Sequence, residues 1–119
     1  MKILIAEDSH EFQMIYSELM EYWGYDFDMA SNGIEAVEFV RKNNGKYNFC
    51  IMNIEMPEMD GIVATLIIRK ITTHFPIMGI STNDSYKKIC FEVGMDSFVT
   101  RPCSPDDLLS KIKKFSKSL

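Results

Sequence analysis

Long hydrophobic runs are missing from this sequence of 119 residues, and none approaches the roughly 18 apolar residues that a membrane-spanning helix needs. An excess of basic residues is missing as well, because 13 Lys and Arg stand against 17 Asp and Glu, which gives a net charge of −4. Binding to DNA or RNA needs a basic surface, so this balance argues against a nucleic-acid partner. The sequence therefore predicts a single domain over residues 1–119, without a membrane or nucleic-acid partner.

Cysteine is scarce, and the three cysteines show no spacing that favours a disulfide framework or a zinc site. Cys50 lies in an apolar segment and is expected in the core. Cys103 follows Pro102 in a predicted loop and is expected to be the most exposed thiol. A strand-like run begins directly after Met1, so the sequence predicts no signal peptide. Free cysteines without an export signal predict a cytoplasmic protein.

Five strand-like segments alternate with five helix-like segments, a pattern typical of a parallel α/β sheet. The predicted strands are residues 2–6, 26–30, 48–52, 76–80 and 97–100. Crossovers between parallel strands are right-handed, so helices are expected on both faces of the sheet. The sequence predicts a flavodoxin-like (βα)5 fold, which is a doubly wound parallel five-stranded sheet with the strand order 2-1-3-4-5.

Capping residues and apolar spacing predict where the helices begin and which faces they bury. Asp8 is the predicted N-cap of the first helix. The third helix is expected to begin near Asp60-Gly61, and the fourth to span residues 85–93. Ser104 and Pro105 mark the start of the fifth helix. The side chains predicted to face the core are Val63, Leu66, Ile67 and Ile71 in the third helix, and Leu108, Leu109, Ile112 and Phe115 in the fifth.

Polar side chains stand at the carboxyl ends of four of the predicted strands. An acidic pair follows the first strand, a single amide follows the third, a hydroxyl follows the fourth, and an arginine and a proline follow the fifth. The carboxyl ends of parallel strands meet at one edge, and folds of this class bind ligands where the first and third strands part. We therefore expect one pocket, formed by Glu7, Asp8, Asn53, Ser81, Arg101 and Pro102.

This order of residues resembles the receiver domain of bacterial two-component response regulators. In that family an acidic pair holds Mg²⁺, an aspartate accepts a phosphoryl group, and a hydroxyl and a lysine complete the pocket. The resemblance implies that Asn53 stands at the phosphoacceptor position and that Arg101 replaces the lysine. The implied metal-binding positions are Glu7, Asp8, Asn53 and the backbone carbonyl of Glu55. The implied switch residues are Ser81 and Phe98.

Two of these positions depart from the family pattern, and both departures weaken the expected chemistry. An amide oxygen is a poor nucleophile, so Asn53 is not expected to accept a phosphoryl group. Asn53 also removes one carboxylate from the cluster, which lowers the demand for a divalent cation. Arginine makes bidentate hydrogen bonds with carboxylates, so Arg101 is expected to reach Glu7 or Asp8. We expect no required cofactor and at most weak Mg²⁺ binding.

The sequence therefore predicts a receiver-like signalling module, not an enzyme, that acts through protein–protein contacts with its phosphorylation lost or impaired. The resemblance implies a histidine kinase or phosphotransfer protein as partner, or a downstream output protein or domain. Receivers commonly use the fourth helix, fifth strand and fifth helix for output contacts, so this face is the expected contact surface.

Two alternatives stay open at the level of the sequence. The first is an ordinary Mg²⁺-dependent phosphoacceptor with an engineered Asp→Asn change at position 53, although such a change would leave Arg101 unexplained. The second is a flavodoxin-like cofactor-binding protein or a small hydrolase. Against the second, the first strand is followed by Glu7 and Asp8, which would repel a phosphate, and not by a glycine-rich phosphate loop.

Overall fold

The computed structural model describes residues 1–43, 45–73 and 75–116 of the chain, so the predicted domain end at residues 117–119 lies outside the described part. Over these ranges strands and helices alternate strictly. The strands are β1 (Lys2–Ala6), β2 (Asp26–Ala30), β3 (Phe49–Asn53), β4 (Ile77–Ser81) and β5 (Ser97–Thr100). The helices are α1 (His10–Trp23), α2 (Gly33–Lys42), α3 (Gly61–Ile71), α4 (Lys87–Glu92) and α5 (Pro105–Phe115).

The sheet has the order β2-β1-β3-β4-β5, and all neighbouring strands are parallel, which confirms the predicted flavodoxin-like fold. One face of the sheet is covered by α1 and α5, whose buried side chains are Tyr16, Met20, Leu108 and Ile112. The other face is covered by α2, α3 and α4, whose buried side chains include Val37, Val40, Ala64, Ile68 and Cys90. Within the described ranges, no helix is both long and apolar enough to cross a membrane.

The strand register brings the carboxyl ends of the strands to one edge of the sheet. Asn53 pairs with Ile80, and Ser81 pairs with Thr100. The third and fourth strands begin and end one residue later than the sequence predicted, so Asn53 and Ser81 are the last residues of β3 and β4. The ladder hydrogen bonds therefore hold the backbone of both residues, and their side chains start from fixed positions.

The third helix presents a different face to the core from the one predicted. The prediction is wrong for Val63 and Leu66, which are 42% and 45% exposed, whereas Ile67 and Ile71 do pack partly against the core. The fully covered side of α3 carries small residues, Gly61, Ala64 and Thr65, together with Ile68. A Cβ atom on Gly61 would overlap with the backbone oxygen of Asn53, so this face allows α3 to approach β3 closely.

Two predictions about helix starts are also wrong. Ser9, and not Asp8, caps α1, because its side chain accepts a hydrogen bond from the backbone N–H of Phe12. Asp8 is instead bonded to the amide of Asn53. The fourth helix is shorter than predicted, because residues 84–86 form a 3-10 turn and the α-helix covers only Lys87–Glu92. Ser104 and Pro105 begin α5 as predicted, with Leu108 and Ile112 buried.

Candidate functional site

The side-chain amide of Asn53 is the centre of the polar groups at the carboxyl edge of the sheet. Its Nδ2 lies 3.1 Å from Oε2 of Glu7, 2.9 Å from Oδ1 of Asp8 and 3.2 Å from the backbone oxygen of Glu55. All three neighbours are acceptors, so the amide must turn its nitrogen, and not its oxygen, toward them. Asn53 is 4% exposed. The amide therefore donates into the space enclosed by the three oxygens.

Glu7 is a fully buried carboxylate, and its two oxygens are both bonded. Oε1 accepts a hydrogen bond from Nη1 of Arg101 at 2.6 Å, which confirms the predicted contact between Arg101 and the acidic pair. Oε2 accepts from the backbone N–H of Ser9 at 3.0 Å and from Asn53. A buried carboxylate is stable only when its charge is paired and its lone pairs are occupied. Glu7 meets both conditions through side chains and backbone alone.

Arg101 reaches Glu7 from the side of α1. Its guanidinium carbon lies 3.8 Å from the centre of the Phe12 ring, a cation–π contact, and Nη1 also donates to the hydroxyl of Tyr16 at 3.2 Å. Burial lowers the pKa of Arg101, but the hydrogen bonds to Glu7 and Tyr16 outweigh it, so the pKa stands above its ordinary value. Burial raises the pKa of Tyr16, against the opposing effect of Arg101. Both groups keep their protons, and the arginine stays cationic.

The charged side chains that line the open part of the pocket are all acidic. A depression of about 370 Å³ is lined by Asp8, Ile54, Glu55, Met56, Pro57, Asp60 and Tyr86. Arg101 and Pro102, which the sequence assigned to the same pocket, instead line a second cleft between α1 and α5. The Glu7–Arg101 pair therefore lies behind the pocket, and Asp8 and Glu55 lie exposed at its mouth. The peptide bond between Arg101 and Pro102 is cis.

The two implied switch residues lie apart from this hydrogen-bond network. Ser81 is 1% exposed, and its hydroxyl accepts a hydrogen bond from the backbone N–H of Asn83 at 3.0 Å. Phe98 is 9% exposed and packs in the core cluster on the α2, α3 and α4 face of the sheet. The backbone N–H of Arg101 donates to the carbonyl of Ser81 at 2.8 Å, which ties the end of β5 to the end of β4.

Several residues of the site were missed at the level of the sequence. Phe12 and Tyr16 lie on α1, and their contacts with Arg101 depend on a side-chain direction that sequence spacing does not give. Gln13 donates to the backbone oxygen of Glu7 at 2.6 Å and so fixes the loop that follows β1. Gln13 lies one helical turn after the N-cap Ser9, and from there a glutamine side chain is long enough to reach back to this loop.

A comparison with protein-family models shows which family the chain belongs to. A family model described as "Response regulator receiver domain" matches residues 3–113. The chain belongs to the receiver domain family. Receiver domains are signalling modules of two-component and phosphorelay systems, and the chain shares their fold.

Proteins of more than one kind are similar to this chain. It is 34% identical over 115 residues to "Two-component response regulator 24" of Arabidopsis thaliana, covering 95% of this chain and 82% of that protein. It is 38% identical over 128 residues to "Hybrid signal transduction histidine kinase B" of Dictyostelium discoideum, of whose length it spans only 6%. Among solved structures, the response regulator TrrA of Thermotoga maritima in complex with Mg(2+)-BeF is 28% identical, with a TM-score of 0.86 and coverage of 96% of this chain and 97% of that one.

Proposed function

We propose that this receiver domain acts through protein–protein contacts without forming an acyl phosphate at position 53. The observation that carries the proposal is the direction of the Asn53 amide, whose nitrogen donates to Glu7, Asp8 and the carbonyl of Glu55. A phosphoacceptor needs a carboxylate oxygen that can attack a phosphoryl group. Asn53 offers a nitrogen donor at that point, and its amide oxygen is a poor nucleophile.

Arg101 and Asn53 together take over the neutralising task of a divalent cation in this proposal. Mg²⁺ binds oxygen ligands, and in this arrangement the three candidate oxygens already accept hydrogen bonds from one amide nitrogen. One oxygen of Glu7 is also bonded to Arg101. The residues present therefore do not fit Mg²⁺ in this arrangement, because binding would require the Asn53 amide to turn over and the acidic groups to exchange their donors. We propose that the domain needs no cofactor and binds Mg²⁺ weakly.

The partners that we propose are those of a signalling pathway. One relative is a hybrid histidine kinase and another a two-component response regulator, so a histidine kinase, a phosphotransfer protein or an output protein or domain would be the partner here. The face of α4, β5 and α5 is the proposed contact surface, and on α4 the apolar side chains of Ile89 and Phe91 are 39% and 44% exposed. Free cysteines support a reducing cytoplasm as the proposed location.

Phosphoryl uptake is tested by treating the protein with acetyl phosphate, with and without Mg²⁺, and measuring the intact mass. The unchanged chain should gain no phosphoryl mass. The variants Asn53→Asp and Asn53→Asp/Arg101→Lys restore first the nucleophile and then the residue implied by the family. We expect slow Mg²⁺-dependent labelling of the single variant and faster labelling of the double variant. A labile phosphoryl group on the unchanged chain, mapped to any pocket residue, would refute the proposal.

The alternative of an engineered exchange at position 53 predicts a different result for the same series. If only position 53 were altered, Asn53→Asp alone should label as fast as the double variant, because Arg101 would then be native to an active site. The codon at position 53 of the source gene gives an independent answer. Arg101 supports natural divergence, because its contacts with Glu7, Tyr16 and Phe12 form one connected arrangement.

A further inference from the structure

A second cleft, of about 180 Å³, lies between α1 and α5 on the side of the sheet away from the Asp8 depression. Its walls are apolar and include Phe12, Ile15, Leu19 and Leu108. The lining residues that carry a polar group are Tyr16, Arg101 and Cys103. A packing defect between helices is lined by apolar groups alone. This cleft is also lined by a cationic side chain, and a guanidinium needs hydrogen-bond acceptors for its N–H donors.

Only one side of the Arg101 guanidinium is used by the protein. Nη1 donates to Glu7 and to the hydroxyl of Tyr16. Nε is completely shielded from solvent and has no hydrogen-bond partner, and within the described residues no acceptor is bonded to Nη2. Nε and Nη2 form the side edge of the guanidinium, which matches the two oxygens of a carboxylate. An unpartnered buried donor is unfavourable, so an acceptor that reaches this edge is stabilised.

We propose that the cleft between α1 and α5 binds a small carboxylate with an apolar body, such as an aromatic or branched aliphatic acid. One carboxylate oxygen accepts from Nη2, and a small shift of the side chain lets the other accept from Nε. The apolar body lies against Ile15, Leu19 and Leu108. The Nη1 contacts with Glu7 and Tyr16 are kept, so binding adds a partner to Arg101 without removing one.

The charges around the cleft argue against two other occupants. Both helices carry exposed acidic residues close in sequence to the lining residues, namely Glu11, Glu18, Asp106 and Asp107. A second copy of this chain would bring the same acidic residues against them, which disfavours self-association through this face. A cation would be drawn to the acidic rim but would meet the guanidinium at the base. The exposed rim acids are screened at ordinary salt concentrations and weaken, but do not prevent, the binding of an anion.

This site is separate from the proposed loss of phosphorylation, because it requires the free edge of Arg101 and the apolar walls, and not the state of Asn53. A bound carboxylate would contact both α1 and α5, so the packing of these two helices would respond to the concentration of the ligand. The proposal would stand even if Asn53→Asp variants and unchanged protein were both phosphorylated.

Cys103 supplies a direct measurement of occupancy. It is half-buried and lines the cleft, whereas Cys50 and Cys90 are buried, so we expect iodoacetamide to modify Cys103 selectively in the folded protein. Burial raises the pKa of the Cys103 thiol, so the reaction is run at alkaline pH. The probe is 3-phenylpropionate. For a ligand of this size we expect half-maximal protection on the order of 1 mM. Phenethylamine, which lacks the carboxylate, and propionate, which lacks the ring, should give no protection at the same concentration.

Two variants separate carboxylate recognition from loss of folding. Arg101→Lys keeps the charge but removes the side edge, and it should weaken protection about tenfold or more. Ile15→Trp leaves Arg101 intact and fills the mouth of the cleft, and it should abolish protection. Ile34→Ala, on the distant α2 helix, is the matched control and should behave as the unchanged chain. Equal protection by phenethylamine, or full protection in both Arg101→Lys and Ile15→Trp, would overturn the proposal.

Discussion

Arg69 and Arg101 lie at opposite ends of the same sheet, and they differ in how many of their guanidinium nitrogens donate hydrogen bonds. Both side chains are nearly buried, at 15% and 11% exposed, both lie over an aromatic ring, and both are paired with an acidic residue. All three nitrogens of Arg69 donate, to the carbonyl of Gly94, the carbonyl of Phe75 and the carboxylate of Asp96. Arg101 uses Nη1 alone and leaves Nε without a partner.

The difference between the two arginines separates a structural task from a functional one. Arg69 joins α3 to the start of β4 and to the loop before β5, and its donors are satisfied within the protein. Arg101 lies at the edge where parallel sheets bind ligands, it lines a cleft, and its buried Nε has no partner. Incomplete satisfaction of a buried polar group is unfavourable for folding, so it is expected to be retained where the group has a further task.

The largest effect that we expect is the loss of stability on removing the more buried ion pair. Arg101→Ala leaves the carboxylate of Glu7 fully buried, with only the N–H of Ser9 and the amide of Asn53 as donors. Breaking a buried pair in this way should lower the free energy of unfolding by about 3 kcal/mol. Urea denaturation gives the value, and Glu7→Gln/Arg101→Ala, which removes the stranded charge, should recover part of it. A midpoint equal to that of the unchanged chain would mean that Glu7 is not held by Arg101.

Arg69→Ala should cost less, about 2 kcal/mol, although it removes more hydrogen bonds. Asp96 is 44% exposed in its side chain and keeps the backbone N–H of Ile77 as a donor, so its charge is not stranded. The decisive measurement is the ratio of the two losses in the same denaturation series. If Arg69→Ala were more destabilising than Arg101→Ala, the number of hydrogen bonds and not the burial of the acidic partner would control stability.

A third prediction concerns the charge that Asn53 avoids. Asn53→Asp replaces an amide whose two hydrogens are shared among three oxygens with a carboxylate that Glu7 and Asp8 repel, and we expect a loss of about 1.5 kcal/mol without metal. Mg²⁺ should restore most of this stability in the variant and leave the unchanged chain nearly unaffected. Thermal melts of the variant and of the unchanged chain, each with and without Mg²⁺ at about 10 mM, test both expectations. This concentration is on the order of the dissociation constant expected for a weak site. Stabilisation of the unchanged chain by Mg²⁺ would contradict the proposed weak site.

The sequence predicted the order of strands and the neighbours of Asn53 because both follow from local patterns. Alternating apolar segments give the sheet, and the carboxyl edge of the sheet collects whatever polar residues end the strands. The sequence also anticipated that Arg101 would reach the acidic pair. It did not show that Arg101 would approach from the α1 side, because the path of a long side chain depends on the packing of Phe12 and Tyr16.

The error in α3 has a related cause. Val63 and Leu66 are apolar residues at helical spacing, and this spacing predicted that they face the core. The closest contact with β3 instead selects the face with Gly61 and Ala64, because larger side chains would overlap with the strand backbone. Close approach between elements is a property of the assembled fold, and the pattern of apolar residues does not reveal it.

The smallest effect that we expect is a loss of stability at alkaline pH, to which a tyrosine at each end of the sheet contributes differently. Tyr47, near the amino end, donates to Asp28 at 2.6 Å, and burial together with this bond raises its pKa far above 10.0. Tyr16, near the carboxyl end, accepts from Arg101, which opposes the effect of burial. A tyrosine whose pKa is raised by folding stabilises the protein below pH 10, and this contribution is lost as the pH rises, because the unfolded chain ionises first.

For one such tyrosine the loss should reach about 1.4 kcal/mol at pH 11 relative to neutral pH. In Tyr47→Phe, the decrease in the free energy of unfolding between pH 7 and pH 11 should be smaller by almost this whole amount. In Tyr16→Phe, the same decrease should be reduced by less. Each variant is compared with its own stability at pH 7, so that the hydrogen bond lost in Tyr47→Phe cancels. Equal changes in slope for both variants would show that Arg101 does not moderate Tyr16, and the contrast between the two ends would then fail at this point.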